Sequence, residues 1–207
     1  MKMNPENPLT YGLWAAAYLL GSVPWGLVLA RVFWKIDIRR EGSGNIGATN
    51  AARVGGAGLG LATLAGDLLK GLLPVWLAQR LEPVEAAWVA AALLAFLGHL
   101  FPVFTRFRGG GKGVATAIGG FLMLAPGALA AGLAVFLTVF AACRRVSAAS
   151  LAAALVLPAA AWFAGQSPVV WGGAAFAAAL IWWRHAGNIR RLLAGTEPEF
   201  RFGRRPG

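Results

Sequence analysis

The chain has 207 residues, of which 58% are hydrophobic and only 13% charged, and its mean hydropathy is +0.63. These values lie outside the usage of soluble domains and exclude a water-soluble globule. The formal net charge of +11 would suit a nucleic-acid-binding protein, but basic residues in so hydrophobic a chain first indicate orientation in a membrane, so we expect no nucleic acid as a partner.

Six apolar stretches predict the membrane-crossing segments, since the core of a bilayer needs about 20 residues of helix. They lack the alternation of a transmembrane β-barrel, so we predict an all-α integral membrane protein that forms one domain over residues 1–207. The first stretch follows a short polar leader and has no convincing cleavage site after it, which predicts a retained helix. The stretches are residues 9–33, 57–79, 84–101, 114–142, 147–164 and 168–183.

Four clusters hold most of the 19 Lys and Arg residues, at residues 31–53, 106–112, 144–145 and 184–205. Positive residues favour the cytoplasmic side of a membrane. If all four clusters lie there, the chain crosses an even number of times between neighbouring clusters. The first and last gaps between clusters each contain two apolar stretches, as that rule requires.

The middle gap, residues 114–142, is too short for two full crossings. It supplies about 43 Å of helix, whereas two crossings of the hydrocarbon core need about 60 Å. Because Pro126-Gly127 offers a break, we predict a half-length helix over 114–124 and a fuller return helix. The alternative is a single crossing that places Arg144 and Arg145 outside. The preferred fold has about seven helices, with the amino terminus outside, the carboxyl terminus inside and the catalytic loops cytoplasmic.

The loop over residues 42–50, here called the first polar loop, is dense in small polar residues for a membrane connection. Glycines let backbone N–H groups converge on an anion, and Arg53, three residues further on, adds a fork suited to phosphate. The alternative interpretation is a flexible turn that satisfies its own backbone. The candidate residues are Gly42, Ser43, Gly44, Asn45, Gly47, Thr49, Asn50 and Arg53.

Residues 109–113, here called the glycine loop, place three glycines before a lysine at a predicted helix start. This pattern is typical of an oxyanion site at the positive end of a helix dipole. It is not a Walker A loop, because Gly113 follows Lys112 and no strand precedes it. A basic interfacial loop that contacts lipid head groups is the alternative. The candidates are Gly110, Gly111, Lys112, Gly113 and Thr116.

A third polar element follows the last apolar stretch, where His185 and Asn188 share one helical face. His185 could accept a proton or donate to phosphate, while Arg184, Arg190 and Arg191 fit helix anchors at the interface. Ser147, next to a basic pair, is a weaker candidate for a contact in the same site.

Several other polar residues keep two interpretations. Asp67 and Lys70 are charges inside an apolar stretch, so they are either functional or a structural ion pair. His99 fits packing as well as function, and we do not assign it to catalysis. The single Cys143 excludes an internal disulfide, and no cluster of carboxylates or histidines predicts a metal or other cofactor.

Four motifs in this order closely resemble those of the bacterial acyl-phosphate:glycerol-3-phosphate acyltransferases, over nearly the whole chain. One departure is the run of three glycines where we expect a pair, which leaves Gly109 outside the assigned site. The motifs are Gly21-Ser22-Val23-Pro24-Trp25-Gly26; Ile36-Asp37-Ile38-Arg39 with Gly42 to Asn50; Gly98-His99 through Lys112-Gly113-Val114-Ala115-Thr116; and Arg184-His185 with Asn188-Ile189-Arg190-Arg191-Leu192.

The resemblance implies a seven-helix enzyme of the bacterial inner membrane that acylates the 1-hydroxyl of glycerol 3-phosphate from acyl phosphate, giving lysophosphatidic acid and inorganic phosphate. Membrane lipid is the expected partner, together with transient contacts to other enzymes of phospholipid synthesis. Ser43, His185 and Asn188 would position the acceptor hydroxyl, and His185 or a substrate phosphate oxygen would take its proton. Arg53 and Lys112 would offset the charge of the phosphates.

Two functions of other classes compete with this one. A transporter of organic phosphates would also use broken helices and helix-end anion sites, but the polar motifs lie in loops and no inverted halves are visible. A purely structural membrane protein would leave both phosphate-type loops without a role.

Overall fold

The computed structural model describes residues 8–200, and within that range the chain forms helices and no β-strand, which confirms the predicted all-α class. A π-helical turn, Ala30–Trp34, extends the second helix, and a 3-10 turn, Val103–Thr105, follows the fourth. The α-helices are α1 Pro8–Gly21, α2 Trp25–Leu29, α3 Ala48–Leu81, α4 Glu85–Leu100, α5 Val114–Leu124, α6 Pro126–Cys143, α7 Val146–Phe163, α8 Pro168–Arg184 and α9 Ala186–Leu193.

Four helical stretches of the described chain are long and apolar enough to cross a bilayer, and α1 with α2 and its π-helical turn makes a fifth if counted as one bent span. The 17 residues of α8 and the 11 of α5 fall short of that length. The number of about seven helices therefore stays a prediction. The four stretches are Ala48–Leu81, Glu85–Thr105, Pro126–Cys143 and Val146–Phe163.

The first apolar stretch is not the single helix that hydropathy predicted, because it breaks into two segments that meet at 46°. The break falls at Pro24, whose ring nitrogen has no N–H to donate. At the break, the carbonyl oxygen of Val23 accepts a hydrogen bond from Lys70 Nζ of α3 at 2.8 Å. A side chain on Gly21 would collide with the backbone of Ala95, so glycine lets α1 lie directly against α4.

The third helix begins at Ala48, well ahead of the apolar stretch that predicted it from residue 57. It kinks at Gly56, whose φ of 79° is a conformation that glycine adopts at little cost. The turns before the kink are small and polar, so hydropathy could not reveal them. The apolar stretch thus marks only the part of α3 beyond the kink.

The middle gap contains the predicted half-length helix, α5, followed after Ala125 by the longer α6. The 11 residues of α5 span about 16 Å, roughly half of a hydrocarbon core. The start of α5 packs at Gly71, partway along α3, and Met123 near its end accepts from Gln79 at 3.3 Å. The glycine loop therefore reaches into the bundle, and α5 covers only the remaining distance.

The basic clusters meet at one end of the bundle, as an even number of crossings between them requires. Arg184 Nε donates to the carbonyl oxygen of Gly111 at 3.0 Å, which joins the second cluster to the fourth. Arg145 Nε donates to the carbonyl oxygen of Glu197 at 2.9 Å and joins the third to the fourth. Which side of the membrane this end faces stays a prediction.

Candidate active site

A cavity of about 700 Å³ opens where the first polar loop and the glycine loop come together. The first polar loop, the start of α3, the glycine loop, the start of α7, α9 and the chain that follows it all contribute to its wall. Apolar residues also line the cavity, among them Leu61, Leu64, Ile118 and Phe136. Leu61 is 64% exposed, so the cavity lining reaches the outer surface of the bundle, where lipid would lie. The cavity lining therefore combines polar and apolar side chains.

All five residues predicted as catalytic line this cavity, and so do most of those predicted to bind substrate. The residues that line it are Ser43, Arg53, Lys112, His185 and Asn188, with Gly42, Asn45, Gly47, Thr49, Asn50, Gly113 and Ser147. Four predicted contact residues do not line it: Gly44, Gly110, Gly111 and Thr116. The hydroxyl of Thr116 is buried and has no hydrogen-bond partner among the described residues.

The side chain of Asn50 organises the first polar loop from within. Its oxygen accepts from the backbone N–H of Ser43 at 2.8 Å, and its amino group lies within 3.1 Å of three backbone carbonyl oxygens. Asn50 is only 2% exposed. These hydrogen bonds shape the loop, while the predicted contact of Asn50 with substrate stays a prediction.

The predicted cradle of glycine N–H groups needs a correction, because several of those groups already donate within the chain. Gly44 donates to the Glu41 carbonyl at 3.0 Å, and Gly47 donates to Asn45 Oδ1 at 2.8 Å. Gly111 donates to the carbonyl oxygen of His99, near the end of α4, at 3.1 Å. These three N–H groups are therefore not free for an anion, and anion binding by the other glycines of the two loops stays a prediction.

Backbone donors at two helix starts are available for an anion. The first backbone N–H groups of a helix have no acceptor inside the helix, and the helix dipole favours negative charge there. Ala48 and Thr49 begin α3, Val114 and Ala115 begin α5, and all four residues line the cavity. Two helix amino termini thus converge on one space.

The glycine loop is held tightly on both sides. Arg184, which we predicted as an interfacial anchor, donates to the carbonyl oxygens of both Gly110 and Gly111. A side chain on Gly110 would collide with the backbone of Leu100. Gly109, by contrast, is exposed, and a Cβ there would meet only Arg39 Cδ at 3.7 Å. Gly109 therefore has room for a side chain, but its φ of 66° still favours glycine, and which of the three glycines is the extra one stays a prediction.

Lys112 and Arg53 supply positive charge to the cavity, and neither forms an ion pair with a carboxylate of residues 8–200. Burial lowers the pKa of the Lys112 ammonium to about 8, an effect that the nearby carboxylate of Glu197 opposes and that neighbouring arginines reinforce. At neutral pH the side chain is still mostly protonated. Two cations without a carboxylate partner form a site that suits an anionic ligand.

His185 lies in the same cavity in its neutral form. Its Nδ1 is 2.8 Å from the carbonyl oxygen of Ile181, which can only accept, so the proton of the neutral ring is on Nδ1 and Nε2 is an acceptor. Burial, and then the charge of Lys112, lower the pKa of His185 to about 4. A neutral ring with an acceptor nitrogen can orient a hydroxyl group.

Glu197 was missed by the sequence analysis, although it is 5% exposed and central to one wall of the cavity. Its carboxylate accepts from Ser147 Oγ at 2.6 Å, Asn188 Nδ2 at 2.6 Å and Arg191 Nε at 2.7 Å. Burial alone would raise the pKa of this carboxyl, but the three hydrogen bonds outweigh it and hold the pKa below its usual value. The only sequence signal was an acidic residue inside the most basic cluster.

Of the two interpretations of Asp67 and Lys70, the ion pair is present at 2.9 Å. His99 Nδ1 lies 3.5 Å from the same carboxylate oxygen, and Asp67 and His99 also line the cavity. Within residues 8–200, no group of three or more His, Cys, Asp and Glu side chains is arranged to hold a metal ion.

The model of the glycerol-3-phosphate acyltransferase family matches residues 11–195 of the chain. Glycerol-3-phosphate acyltransferase of Trichlorobacter lovleyi is 50% identical over 198 residues, which cover 93% of this chain and all of the relative. The enzyme of that name from Syntrophotalea carbinolica is 45% identical over 192 residues, which cover 92% of this chain and 97% of the relative.

Solved structures agree with the sequence match. The crystal structure of PlsY, an integral membrane glycerol 3-phosphate acyltransferase, in its glycerol 3-phosphate form superposes with a TM-score of 0.89 at 38% identity. The structure of its lysophosphatidic acid form gives 0.86 at 37% identity, and both cover 93% of this chain and 96% of PlsY. The chain belongs to the glycerol-3-phosphate acyltransferase family.

Proposed function

We propose that the chain transfers an acyl group from acyl phosphate to the 1-hydroxyl of glycerol 3-phosphate, giving lysophosphatidic acid and inorganic phosphate. The observation that carries this proposal is a cavity whose lining combines two cations, two helix amino termini and apolar side chains. Both proposed substrates carry a phosphate group, and one also carries an acyl chain. Family membership supports the acceptor, while the resemblance of the four motifs supports the donor.

The two phosphates bind at the polar part of the cavity. Lys112 and Arg53 neutralise them, and the first N–H groups of α3 and α5 donate to their oxygens. An acyl phosphate is a mixed anhydride, so its phosphate leaves readily and an acyl-enzyme is not required. Alignment and charge neutralisation are then the main tasks of the protein.

The acceptor hydroxyl is positioned by Ser43, His185 and Asn188, which line one part of the cavity. The oxygen of the 1-hydroxyl attacks the acyl carbonyl carbon, and the bond from that carbon to the phosphate oxygen breaks. His185 Nε2 accepts the hydrogen bond of the hydroxyl, but a nitrogen with a pKa of about 4 is a weak base. The departing phosphate gains basicity as it leaves, so a phosphate oxygen takes the proton.

The acyl chain extends along the apolar residues of the cavity lining. Leu61, Leu64 and Phe136 line the cavity, and the exposure of Leu61 leaves this side open to lipid. An acyl phosphate dissolved in the bilayer would enter sideways with its phosphate toward Lys112. The product, which keeps the chain, would leave by the same route.

The enzyme lies in the bacterial inner membrane with the cavity on the cytoplasmic side. The convergence of the basic clusters at the cavity supports this orientation, because positive residues favour the cytoplasmic face. A cysteine placed at Ser43 and a tag after Gly207 should be labelled only from the cytoplasm. Labelling of either from outside intact cells would contradict the orientation.

The proposed reaction is tested with purified protein, labelled glycerol 3-phosphate and either acyl phosphate or acyl-CoA as donor. We expect labelled lysophosphatidic acid and one inorganic phosphate per product with acyl phosphate, and no product with acyl-CoA. Equal rates with acyl-CoA would overturn the proposal that acyl phosphate is the donor. Uptake of label into proteoliposomes without any acylated product would favour the transporter instead.

A further inference from the structure

Three ionisable side chains lie together inside the bundle without a role in the proposed chemistry. Asp67 and Lys70 are on α3 and His99 is on α4, and their exposed fractions are 2%, 1% and 4%. Charged groups inside a membrane are costly, so they are retained mainly where they serve a site or a pathway. Their contacts lead directly to the glycine loop.

Asp67 is the centre of the group. One carboxylate oxygen lies 2.9 Å from Lys70 Nζ and 3.5 Å from His99 Nδ1. Lys70 also donates to the carbonyl oxygen of Val23 at 2.8 Å, at the break between α1 and α2. The group therefore links that break to α3 and α4.

The opposite edge of the His99 ring faces the glycine loop. The Nε2 atom lies so close to Gly111 that a side chain on Gly111 would collide with it, and the Gly111 N–H donates to the His99 carbonyl oxygen at 3.1 Å. The same ring also lines the cavity, so this contact joins the cavity wall to the glycine loop. The His99 ring therefore lies between the Asp67 carboxylate and Gly111, the residue before Lys112.

We infer that Asp67, Lys70 and His99 are positioning residues that set the place of the glycine loop and thereby hold Lys112 at the phosphate site. The inference rests on the proposed function in one respect, the binding of a substrate phosphate by Lys112. The three residues act through the loop and not on the reacting atoms. Displacing a group in such a site by about 1 Å can cost about a hundredfold in rate.

A size exchange between His99 and Gly111 tests the contact itself. Gly111→Ala pushes a methyl group into the ring and should lower kcat/KM for glycerol 3-phosphate by about a hundredfold, mainly through KM. His99→Ala alone leaves the loop without the ring that supports it and should also raise KM. In the double variant the added methyl group takes up part of the space that the ring leaves, so glycerol 3-phosphate binding should be tighter than in either single variant. Gly127→Ala, where a Cβ has open space, is the matched control and should behave as wild type.

A second variant tests the ion pair without leaving one charge alone in the bundle. Asp67→Asn with Lys70→Met removes both charges together, and we expect weaker glycerol 3-phosphate binding in protein that still inserts and folds. A lower melting temperature with unchanged binding would show that the pair only stabilises the fold, and would overturn its positioning role.

Calorimetric titration of purified protein with glycerol 3-phosphate separates the possible failures, because it needs no acyl donor. If wild type does not bind glycerol 3-phosphate, the proposed function fails. If wild type binds and the double variant is no better than Gly111→Ala alone, the positioning inference fails while the proposed function stands. Loss of turnover in His99→Ala with binding intact would make His99 catalytic and would also overturn the inference.

Discussion

Asn188 donates a hydrogen bond of 2.6 Å to the carboxylate of Glu197. Asn188 lies on α9, and the chain turns back after the end of α9 to bring Glu197 beside it. The same carboxylate accepts from Ser147 of α7 and from Arg191 of α9. Phe200 N then donates to the Arg144 carbonyl oxygen at 2.8 Å. The chain after α9 is therefore fastened across the start of α7 and completes one wall of the cavity.

Glu197→Gln should reduce both stability and turnover. Gln keeps the shape but has one acceptor oxygen, and its amino group would face the donor Arg191. Losing a hydrogen bond to a charged group costs about 1.5–3 kcal/mol. Melting temperature and turnover of the purified variant measure the effect, with the exposed Glu41→Gln as control. Equal values for the two variants would contradict the structural role of Glu197.

Local patterns were sufficient to predict part of this site. Lys112 stands two residues before the start of α5, so glycines followed by lysine and an apolar run indicated a candidate phosphate site without knowledge of the fold. Glu197 gave no comparable signal, because its partners Ser147 and Asn188 are reached only when the chain folds back. Asn50 was predicted to lie at the site, but its role in shaping the loop could not be predicted, since its hydrogen bonds depend on the turn that the loop adopts.

The fold was predicted to a similar degree. Hydropathy and Pro126 were enough to predict α5 and α6, because the break lies beside a proline that begins a helix. The break at Pro24 was missed, since the sequence on both sides is equally apolar and the compensating donor, Lys70, is distant in the chain. The early start of α3 was missed because its first turns pack at the site and need not be apolar.

Asn50→Ala should disorder the first polar loop. The change removes the acceptor for Ser43 N–H and the donor to three carbonyl oxygens, and buried groups left without partners cost about 1–3 kcal/mol each. We expect a marked loss of turnover and faster proteolysis within residues 42–50. Wild-type turnover with an unchanged digestion pattern would show that the loop does not depend on Asn50.

The pH profile should show the lowered pKa of Lys112. The charged form binds phosphate, so kcat/KM for glycerol 3-phosphate should fall as the pH rises through about 8, by about tenfold per unit beyond it. Bound phosphate favours the charged form, so kcat at saturation should hold to higher pH. An alkaline limb of kcat/KM near pH 10, where an ordinary lysine titrates, would contradict this assignment.

Two glycines test the close packing of α5 on α3. A methyl group at Gly119 would collide with the backbone oxygen of Leu68, whereas one at Gly127 would meet open space. Gly119→Ala should therefore lower the free energy of unfolding by about 1–3 kcal/mol, as overpacking does. Gly127→Ala should be neutral or slightly stabilising. Melting temperatures in detergent compare the two, and equal values would mean that the helices can separate at little cost.

The most direct test of phosphate binding by Lys112 is the turnover of Lys112→Arg with saturating substrates. Lys112 is mostly buried beside a tightly held loop, so a planar guanidinium should not fit even though it keeps the charge. We predict that Lys112→Arg inserts normally and loses about a hundredfold to a thousandfold in turnover, as does Lys112→Ala. Arg106→Ala, at an exposed position, should lose far less. Near-normal turnover of Lys112→Arg would contradict the account and leave Arg53 as the main phosphate ligand.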